Sequence, residues 1–348
     1  MWLSSGAPGS KYFGLPPLFD PREGITIREP LAPEEGYWAG APTVQYDPVD
    51  QRFLLCYRLR QPRPIRGGEC RLAASTDGIE FRDIWGATSA DFASPSIEKC
   101  AIFRGLDGRC RLYASYVDGE TNQWRVDLLE AERPEDLRPE ARRPVFVAGD
   151  LNAEGVKDPY VIVVGGVYFM LLSYAPRPPK ADARKMHATG DVYNTGVTTS
   201  ESGLATSLDG VHFTWLGNVF GPGPGWDAYC ARIGSVLYQA PAWIAFYDGS
   251  GSVQENYEEQ AGLAVSTDLQ HFASLTPDGP WVTSGAGSGS VRYIDALDLG
   301  EVIHYYYECA REDGSHDLRV SVEASATRRC HSTLARVARA MRRGGGGG

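Results

Sequence analysis

The sequence predicts an all-β fold, and three observations favour it. The 348 residues include 40 Gly and 23 Pro, and 11% are aromatic, a mixture typical of many short strands joined by tight turns. One turn motif occurs three times, and strand-like runs that end in tyrosine recur along the chain. This composition excludes a coiled coil, a collagen and a disulfide-stapled miniprotein.

The turn motif reads Leu-Ala-x-Ser-x-Asp-x-x-x-Phe and begins at Leu72, Leu204 and Leu263. In each copy a strand is expected to end at the Ser, and the Asp side chain to hydrogen-bond to the turn backbone. The Phe is expected to start the next strand in the core. The repeat therefore predicts structural roles for its aspartates, Asp77, Asp209 and Asp268.

Five strand-like runs end near a tyrosine, and the intervals between these tyrosines are 59, 58, 73 and 60 residues. Each run follows another β-like segment, so the chain divides into five units of about four strands. A repeat of this length made of strands predicts a five-bladed β-propeller, with four-stranded antiparallel blades around a central channel. The five tyrosines are Tyr57, Tyr116, Tyr174, Tyr247 and Tyr307.

The propeller is predicted to span residues 36–325 as one domain, because no interior linker divides it. Residues 1–35 are expected to wrap the outside or to supply a closing strand. Residues 326–348, which are rich in Arg and end in five Gly, are interpreted as a basic, disordered tail. The wide interval contains an insertion at 176–202, either a surface excursion or a loop over the channel mouth.

The charge balance limits the partners of the protein. A formal net charge of -10 and a pI near 5.2 argue against nucleic acid or an anionic membrane. The run Val161–Leu172 is too short to span a bilayer, and Met1–Ser10 does not resemble a signal peptide. The seven cysteines show no metal-ligand spacing, which favours a cytoplasmic protein without a metal or cofactor. The oligomeric state is not indicated.

The first strand of each propeller blade lines the channel, where buried charges need partners. In the second blade, period-two alternation puts Ser96 and Glu98 on one face. The third blade offers Lys157 and Asp158, and the fourth and fifth blades offer further acids and arginines. The first blade carries only the uncharged Ala41-Pro42-Thr43 at this point.

Lys157-Asp158-Pro159, the Gly165-Gly166-Val167-Tyr168 that follows, the Ser-x-Asp turns and the five units resemble the five-bladed glycosidase propellers. These are glycoside hydrolase families 43, 32, 68 and 130, and the resemblance covers about residues 36–325. It implies a carbohydrate substrate and carboxylates that act at the channel mouth. Asp158 matches the Asp of Arg-Asp-Pro in family 32, which is implied to stabilise the transition state. It equally matches the Asp of Glu-Asp-Pro-Arg in family 130, implied to be the proton donor.

The sequence departs from the families at the first blade. Ala41-Pro42-Thr43 stands where families 43 and 32 carry an Asp, a departure that favours a non-catalytic propeller. Phosphorolytic members of family 130 would also use a basic phosphate cluster, for which the candidates are Arg58, Arg60, Arg232 and Arg292.

The resulting hypothesis is a glycoside hydrolase with the catalytic carboxylates Asp158, Glu98 and Asp227. Two alternatives remain open: a glycoside phosphorylase of the same fold, and a non-catalytic propeller that binds carbohydrate or protein. Glu98 could instead form a salt bridge to an Arg of a neighbouring blade, and Asp227 could cap a turn. Among the histidines, His316 is the candidate for a site role. The candidate substrate-binding residues are Arg292, Arg232, Lys157, Arg58, Trp38, Tyr229 and Tyr293.

Overall fold

The computed structural model describes residues 15–180 and 182–325, and its regular structure is nearly all β. The predictions for residues 1–14 and for the basic tail at 326–348 lie outside the described residues. The strands are β1 (Ile25–Arg28), β2 (Trp38–Asp47), β3 (Arg52–Gln61), β4 (Arg66–Ser75), β5 (Arg82–Thr88), β6 (Ala101–Arg104), β7 (Cys110–Val117), β8 (Trp124–Ala131), β9 (Arg143–Phe146), β10 (Ala153–Val164), β11 (Val167–Pro176), β12 (Glu201–Ser207), β13 (Thr214–Phe220), β14 (Cys230–Gln239), β15 (Ala242–Ser250), β16 (Gln260–Ser266), β17 (Ala273–Ser274), β18 (Val291–Asp298), β19 (Val302–Ala310) and β20 (His316–Ala324).

The strands pair in five antiparallel groups of four. The first four groups are β2–β5, β6–β9, β10–β13 and β14–β17, in which each strand pairs with the next along the chain. The fifth consists of β18–β20, and its fourth strand is β1, which pairs antiparallel with β20. The segment before residue 36 therefore supplies a strand to the last group.

The groups pack against each other in a cycle. The first strands β2, β6, β10, β14 and β18 each contact the first strand of the next group, and β18 contacts β2. A hydrophobic core fills each of the five junctions; Leu54 and Leu112, for example, share the core between the first and second groups. This packing brings the first strands together, so their polar residues converge.

The three turn motifs form the hydrogen bonds predicted for them. Asp77 accepts bonds from the backbone N–H groups of Ile79 and Glu80, each at 2.8 Å, and Asp209 and Asp268 repeat this geometry. The structural prediction for these aspartates is therefore confirmed.

Each recurring tyrosine has a hydrogen-bond partner within or next to its own four-stranded group. Each phenolic O–H lies within hydrogen-bond distance of an acid or a hydroxyl near the same group. Because burial of an unpaired hydroxyl is costly, such a partner is required wherever this tyrosine recurs. The pairs are Tyr57 with Asp83 at 2.9 Å, Tyr116 with Asp127 at 2.6 Å, Tyr174 with Glu201 at 3.1 Å, Tyr247 with Asp227 at 2.9 Å and Tyr307 with Ser321 at 2.9 Å.

The insertion between β11 and β12 contains the short helix α1 (Ala183–His187), and its Tyr193 hydroxyl donates to the Gly155 carbonyl of β10 at 3.2 Å. Val192 and Tyr193 are buried against Trp124 in a small core of their own. Asp191 ties the insertion to three other segments, because its carboxylate accepts from Trp124 Nε1 at 3.1 Å and from the Tyr257 hydroxyl, and pairs with Arg66 at 3.4 Å. The insertion therefore covers the end of the strands at which β10 begins.

Within the described residues, every helix is too short to pass through a lipid bilayer. The six cysteines of this part of the chain are buried, and each is a free thiol.

Candidate active site

A cluster of buried charges fills the centre of the molecule at the end where the first strands begin. We call it the central charge cluster. Most of the substrate-binding candidates and two of the three catalytic candidates belong to it, together with residues that the sequence analysis did not select. Its members are Arg58, Arg60, Glu98, Lys157, Asp158, Arg232, Asp248, Glu259, Arg292, Glu308 and His316.

A bulge recurs in the first strands and aims their side chains. Ala41, Asp158 and Tyr293 have φ values of 52°, 54° and 53°, and the strand register shifts at each of them. Each bulge N–H donates to a side chain of the preceding group: Glu308, Ser115 and Asp248, respectively. A left-handed conformation costs a non-glycine residue about 1 kcal/mol, so its recurrence indicates a constraint shared by the first strands.

Asp158 is the least satisfied acid of the cluster. Its side chain is buried, yet neither carboxylate oxygen has a hydrogen-bond partner among the described residues. Lys157 Nζ lies 3.3 Å from Oδ2 and Arg232 Nη1 lies 3.9 Å from it. Adjacent residues of a regular strand point to opposite faces, and the bulge at Asp158 is the reason that the side chains of Lys157 and Asp158 meet. A buried carboxylate held by charge without hydrogen bonds can accept a ligand or a proton.

Glu98 is surrounded by cations. Its carboxylate accepts from Arg58 at 2.6 Å and from Arg60 at 3.0 Å. Burial raises the pKa of Glu98, but Arg58, Lys157 and Arg60 outweigh burial and lower the pKa to about 2. Arg58 and Arg60 lie on β3 of the neighbouring group. Glu98 therefore forms the salt bridge to a neighbouring group that was the alternative to a catalytic role. A carboxylate with so low a pKa is suited to staying ionised and not to donating a proton.

Glu308 places a carboxylate where the first group has none of its own. Its Oε2 accepts from the Ala41 N–H at 3.1 Å, beside the Ala41-Pro42-Thr43 segment. Gly40 makes this approach possible, because a Cβ at residue 40 would lie 2.0 Å from Glu308 Oε2. Arg58 and Arg292 also bind Glu308, at 2.8 and 2.7 Å. Sequence reasoning missed Glu308 because it directly follows the tyrosine-ending run of the fifth unit and does not lie on an expected first strand.

Glu259 and Asp248 complete the acidic part of the cluster. Glu259 pairs with Arg232 at 2.8 Å and with Arg292 at 2.5 Å, and the two arginines outweigh burial and lower its pKa to about 2. Asp248 lies 3.4 Å from Arg232, but burial raises its pKa to about 6. Asp158 and Asp248 thus flank the same guanidinium. Acids in different electrostatic environments are typical of acid–base sites.

Two of the three aromatic candidates lie among the arginines of the cluster. The ring of Trp38 is 4.7 Å from the Arg292 guanidinium carbon, and the ring of Tyr293 is 5.2 Å from the same atom. Tyr229 lies at the edge, where its hydroxyl donates to the Tyr193 carbonyl of the insertion at 2.7 Å. The aromatic rings therefore cover cations in this structure, and each contact is a cation–π arrangement.

The structure does not bring Asp227 together with Glu98 and Asp158. Its Oδ2 accepts from the Tyr247 hydroxyl at 2.9 Å, so it is the partner of the recurring tyrosine in the fourth group. Its other oxygen is buried without a partner among the described residues and lies near Gly223 of the preceding turn.

His316 occupies a position between two carboxylates. Nδ1 lies 2.8 Å from Glu308 and Nε2 lies 3.0 Å from Glu258, and the ring stacks on Trp38 at 4.8 Å. Burial lowers the pKa of His316, but hydrogen bonds to Glu258 and Glu308 outweigh it and give a net increase. The candidate histidine of the sequence therefore belongs to the cluster.

Glu98 and the neighbouring acid Asp295 have pKa values shifted in opposite directions and therefore predict opposite dependences of stability on pH. The pKa of Glu98 is lowered, so its contribution to stability is complete above its unfolded pKa and is lost as the pH falls toward 2. Burial raises the pKa of Asp295, a neighbour of the cluster on β18, to about 6, so its contribution is present at low pH and is lost as the pH rises toward 6. We expect the cost of Glu98→Gln to shrink as the pH falls below about 4.

Asp295→Asn should behave in the opposite way and become more stable relative to the unsubstituted protein as the pH rises from about 4 to about 6. Urea unfolding of the three proteins at several pH values measures both differences. A pH-independent difference for either variant would contradict the proposed protonation state of that acid.

Comparison with solved structures identifies the fold. A β-1,2-mannobiose phosphorylase from Listeria innocua superposes with a TM-score of 0.59 at 16% identity, covering 89% of this chain and 96% of that one. A structure from a study of the GH130 family of mannoside phosphorylases and hydrolases gives 0.61 at 16% identity, covering 92% and 99%. A thermostable family-43 glycoside hydrolase gives 0.59 at 12% identity, covering 82% and 89%.

No protein-family model matches the chain, and no curated protein matches its sequence. The structural matches cover 82–92% of this chain, and they show that it shares the fold of these glycoside hydrolase and phosphorylase structures. The resemblance derived from the short motifs is therefore confirmed at the level of fold.

Proposed function

We propose that this protein is a glycoside hydrolase and that Asp158 is its central catalytic residue. The observation that carries the proposal is the state of Asp158: a buried carboxylate in a left-handed bulge, without a hydrogen bond among the described residues, beside Lys157 and Arg232. Unsatisfied buried polar groups and strained backbone concentrate at functional sites. The carbohydrate class of the substrate is supported by the fold shared with glycoside hydrolases and phosphorylases.

The proposed architecture is a five-bladed propeller, in which each four-stranded group is one blade. The cyclic contacts of β2, β6, β10, β14 and β18 support it, as do the five junction cores. In this architecture the central charge cluster stands at the mouth of the channel, and Asp158 projects into it from the third blade.

Glycoside cleavage needs a proton donor and an ionised carboxylate. We assign the ionised role to Asp158, because Lys157 and Arg232 balance its charge. Asp248 suits the donor, because burial raises its pKa to about 6, closer to neutral pH than that of an ordinary Asp. Glu98 is proposed as the charge partner of the arginines, and Asp227 as the structural partner of Tyr247.

A phosphorylase of the same fold is the second candidate. It is favoured by the cations near Glu98, which are contributed by β3, β4 and β10: Arg58, Arg60, Arg66 and Lys157. Arg66 Nε is buried without a hydrogen bond among the described residues. Such a group of cations suits an oxyanion such as phosphate.

Product analysis distinguishes these functions. The protein is incubated with a panel of oligosaccharides and aryl glycosides, with and without inorganic phosphate. Release of free reducing sugar in the absence of phosphate is the expected result. Appearance of a sugar 1-phosphate only in the presence of phosphate would establish the phosphorylase instead. Binding without turnover of any substrate would favour a non-catalytic carbohydrate-binding propeller.

A further inference from the structure

A cavity of about 380 Å³ lies beside the central charge cluster, at the same end of the strands as Asp158. Its walls come from the turn before β14, the loop between β15 and β16, and the turn before β18. The volume falls within the range of about 300–1,000 Å³ that is typical of small-molecule sites. The side chains that matter for its chemistry are Trp226, Gln254, Glu258, Gln260 and Ser288.

Trp226 presents an aromatic surface to this cavity. Its Nε1–H donates to the Thr276 carbonyl at 2.7 Å, and its ring stacks on Tyr247 with centroids 5.6 Å apart. Gly249 allows the ring to lie close to β15, because a Cβ at residue 249 would be 2.4 Å from it. The indole is therefore held in a fixed orientation. Because its N–H is hydrogen-bonded to Thr276, a ligand would contact the apolar ring surface.

Two side-chain amides in the cavity wall have no hydrogen-bond partner among the described residues. Within residues 15–180 and 182–325, the side chains of Gln254 and Gln260 make no hydrogen bond. An amide offers two donors and one acceptor oxygen. Glu258 lies beside them as an acceptor and bonds to the Ser288 hydroxyl and to His316 Nε2. An aromatic surface beside unpartnered amides and a carboxylate matches a sugar ring, which has apolar C–H faces and a rim of hydroxyls.

Glu258 connects the cavity to the central charge cluster. It is 31% exposed on the cavity side, while His316 behind it is 1% exposed and bonds to Glu308 at 2.8 Å. The next residue, Glu259, pairs with Arg232 and Arg292 inside the cluster. A sugar in the cavity would therefore contact Glu258, which His316 connects to Glu308 of the central charge cluster.

We propose that this cavity is a subsite that binds one sugar residue of the substrate, with the ring on Trp226 and its hydroxyls on Gln254, Gln260 and Glu258. The substrate class rests on the proposed function, whereas the location rests on the cavity itself. Removal of the aromatic surface should weaken sugar binding about tenfold, and removal of one amide about threefold to tenfold.

Saturation-transfer NMR and calorimetry with Asp158→Asn protein test binding without turnover. The probes are the methyl glycosides of glucose, mannose, galactose and arabinose, and glycerol is the negative control. The variants are Trp226→Leu and Gln254→Ala. Their matched controls are Trp85→Leu, since the Trp85 N–H also donates to a backbone carbonyl at 2.8 Å, and Gln270→Ala, since Gln270 is likewise exposed.

The expected result is that at least one glycoside binds, that both cavity variants bind it more weakly, and that both controls bind it normally. Binding that both cavity variants leave unchanged would overturn the proposal, as would the failure of every probe to bind. Gln254 is exposed, so its variant remains informative even if Trp226→Leu does not fold. The test does not depend on turnover: if no glycoside is cleaved but the cavity binds sugars, only the proposed hydrolase activity fails.

Discussion

Asp158→Asn should abolish glycoside cleavage while leaving the protein folded. Asn has nearly the same shape as Asp and is among the residues that tolerate a left-handed conformation, so it fits the bulge at φ 54°. It removes the negative charge between Lys157 and Arg232 that we assign to the reaction. A loss of about 100-fold to 10,000-fold in kcat/KM is expected, which is the range for a residue that transfers or stabilises charge in the transition state.

The matched control is Asp127→Asn in the second group. Asp127 is also a buried carboxylate, and it accepts from Tyr116 at 2.6 Å and pairs with Arg125 at 2.8 Å, but it lies outside the central charge cluster. Its variant should keep the activity of the unsubstituted protein. Thermal unfolding of both variants checks that the fold persists. If Asp158→Asn is folded and as active as the control, Asp158 has no part in the reaction.

Glu308→Ala should cost the largest amount of stability of any single substitution in the cluster. Glu308 is fully buried and contacts Arg58, Arg292 and His316, each of which would lose one of its two carboxylate partners. Removal of one partner from a buried ion pair typically costs about 3–5 kcal/mol, because the remaining charge stays desolvated. Urea unfolding measures the loss as a lower midpoint at an unchanged slope.

Two further variants separate charge from packing at this site. Glu308→Gln keeps the volume of the side chain and removes only the charge, so it should also be strongly destabilised. Asp136→Ala breaks an exposed ion pair with Arg133 and should leave the midpoint unchanged, since solvent screens such pairs. A normal midpoint for Glu308→Gln would show that the charge of Glu308 does not hold the cluster together.

The sequence was most informative where the chain repeats itself. The turn motifs and the recurring tyrosines indicated strands, groups and their order, because each copy of a repeated motif occupies an equivalent position in its structural unit. The same logic predicted Asp158 and Glu98 as site residues; Asp158 lies on β10, and Glu98 lies just before β6. It also explains Asp227, whose partner Tyr247 belongs to the tyrosine series.

What could not be read from the sequence depends on backbone irregularity and on contacts between distant segments. The bulge at Asp158 interrupts the regular alternation of the strand and brings the Lys157 side chain to the Asp158 carboxylate. Glu308 enters the first group from β19, across the junction between the last and first groups, and 267 residues separate it from Ala41. Such a contact forms because the last group packs against the first, and no local sequence pattern indicates it.

The pairing of β1 with β20 has a consequence for how the chain reaches its native state. Thr26 on β1 bonds to Asp317 on β20 at 2.7 Å, across a separation of 291 residues. Because β1 is synthesised before β20, it must wait for β20 before it finds its partner, while the intervening groups can form from neighbouring segments. Since long-range pairings are slow to form, docking of β1 is expected to be a late step, and until then β20 exposes an edge that invites association with other chains.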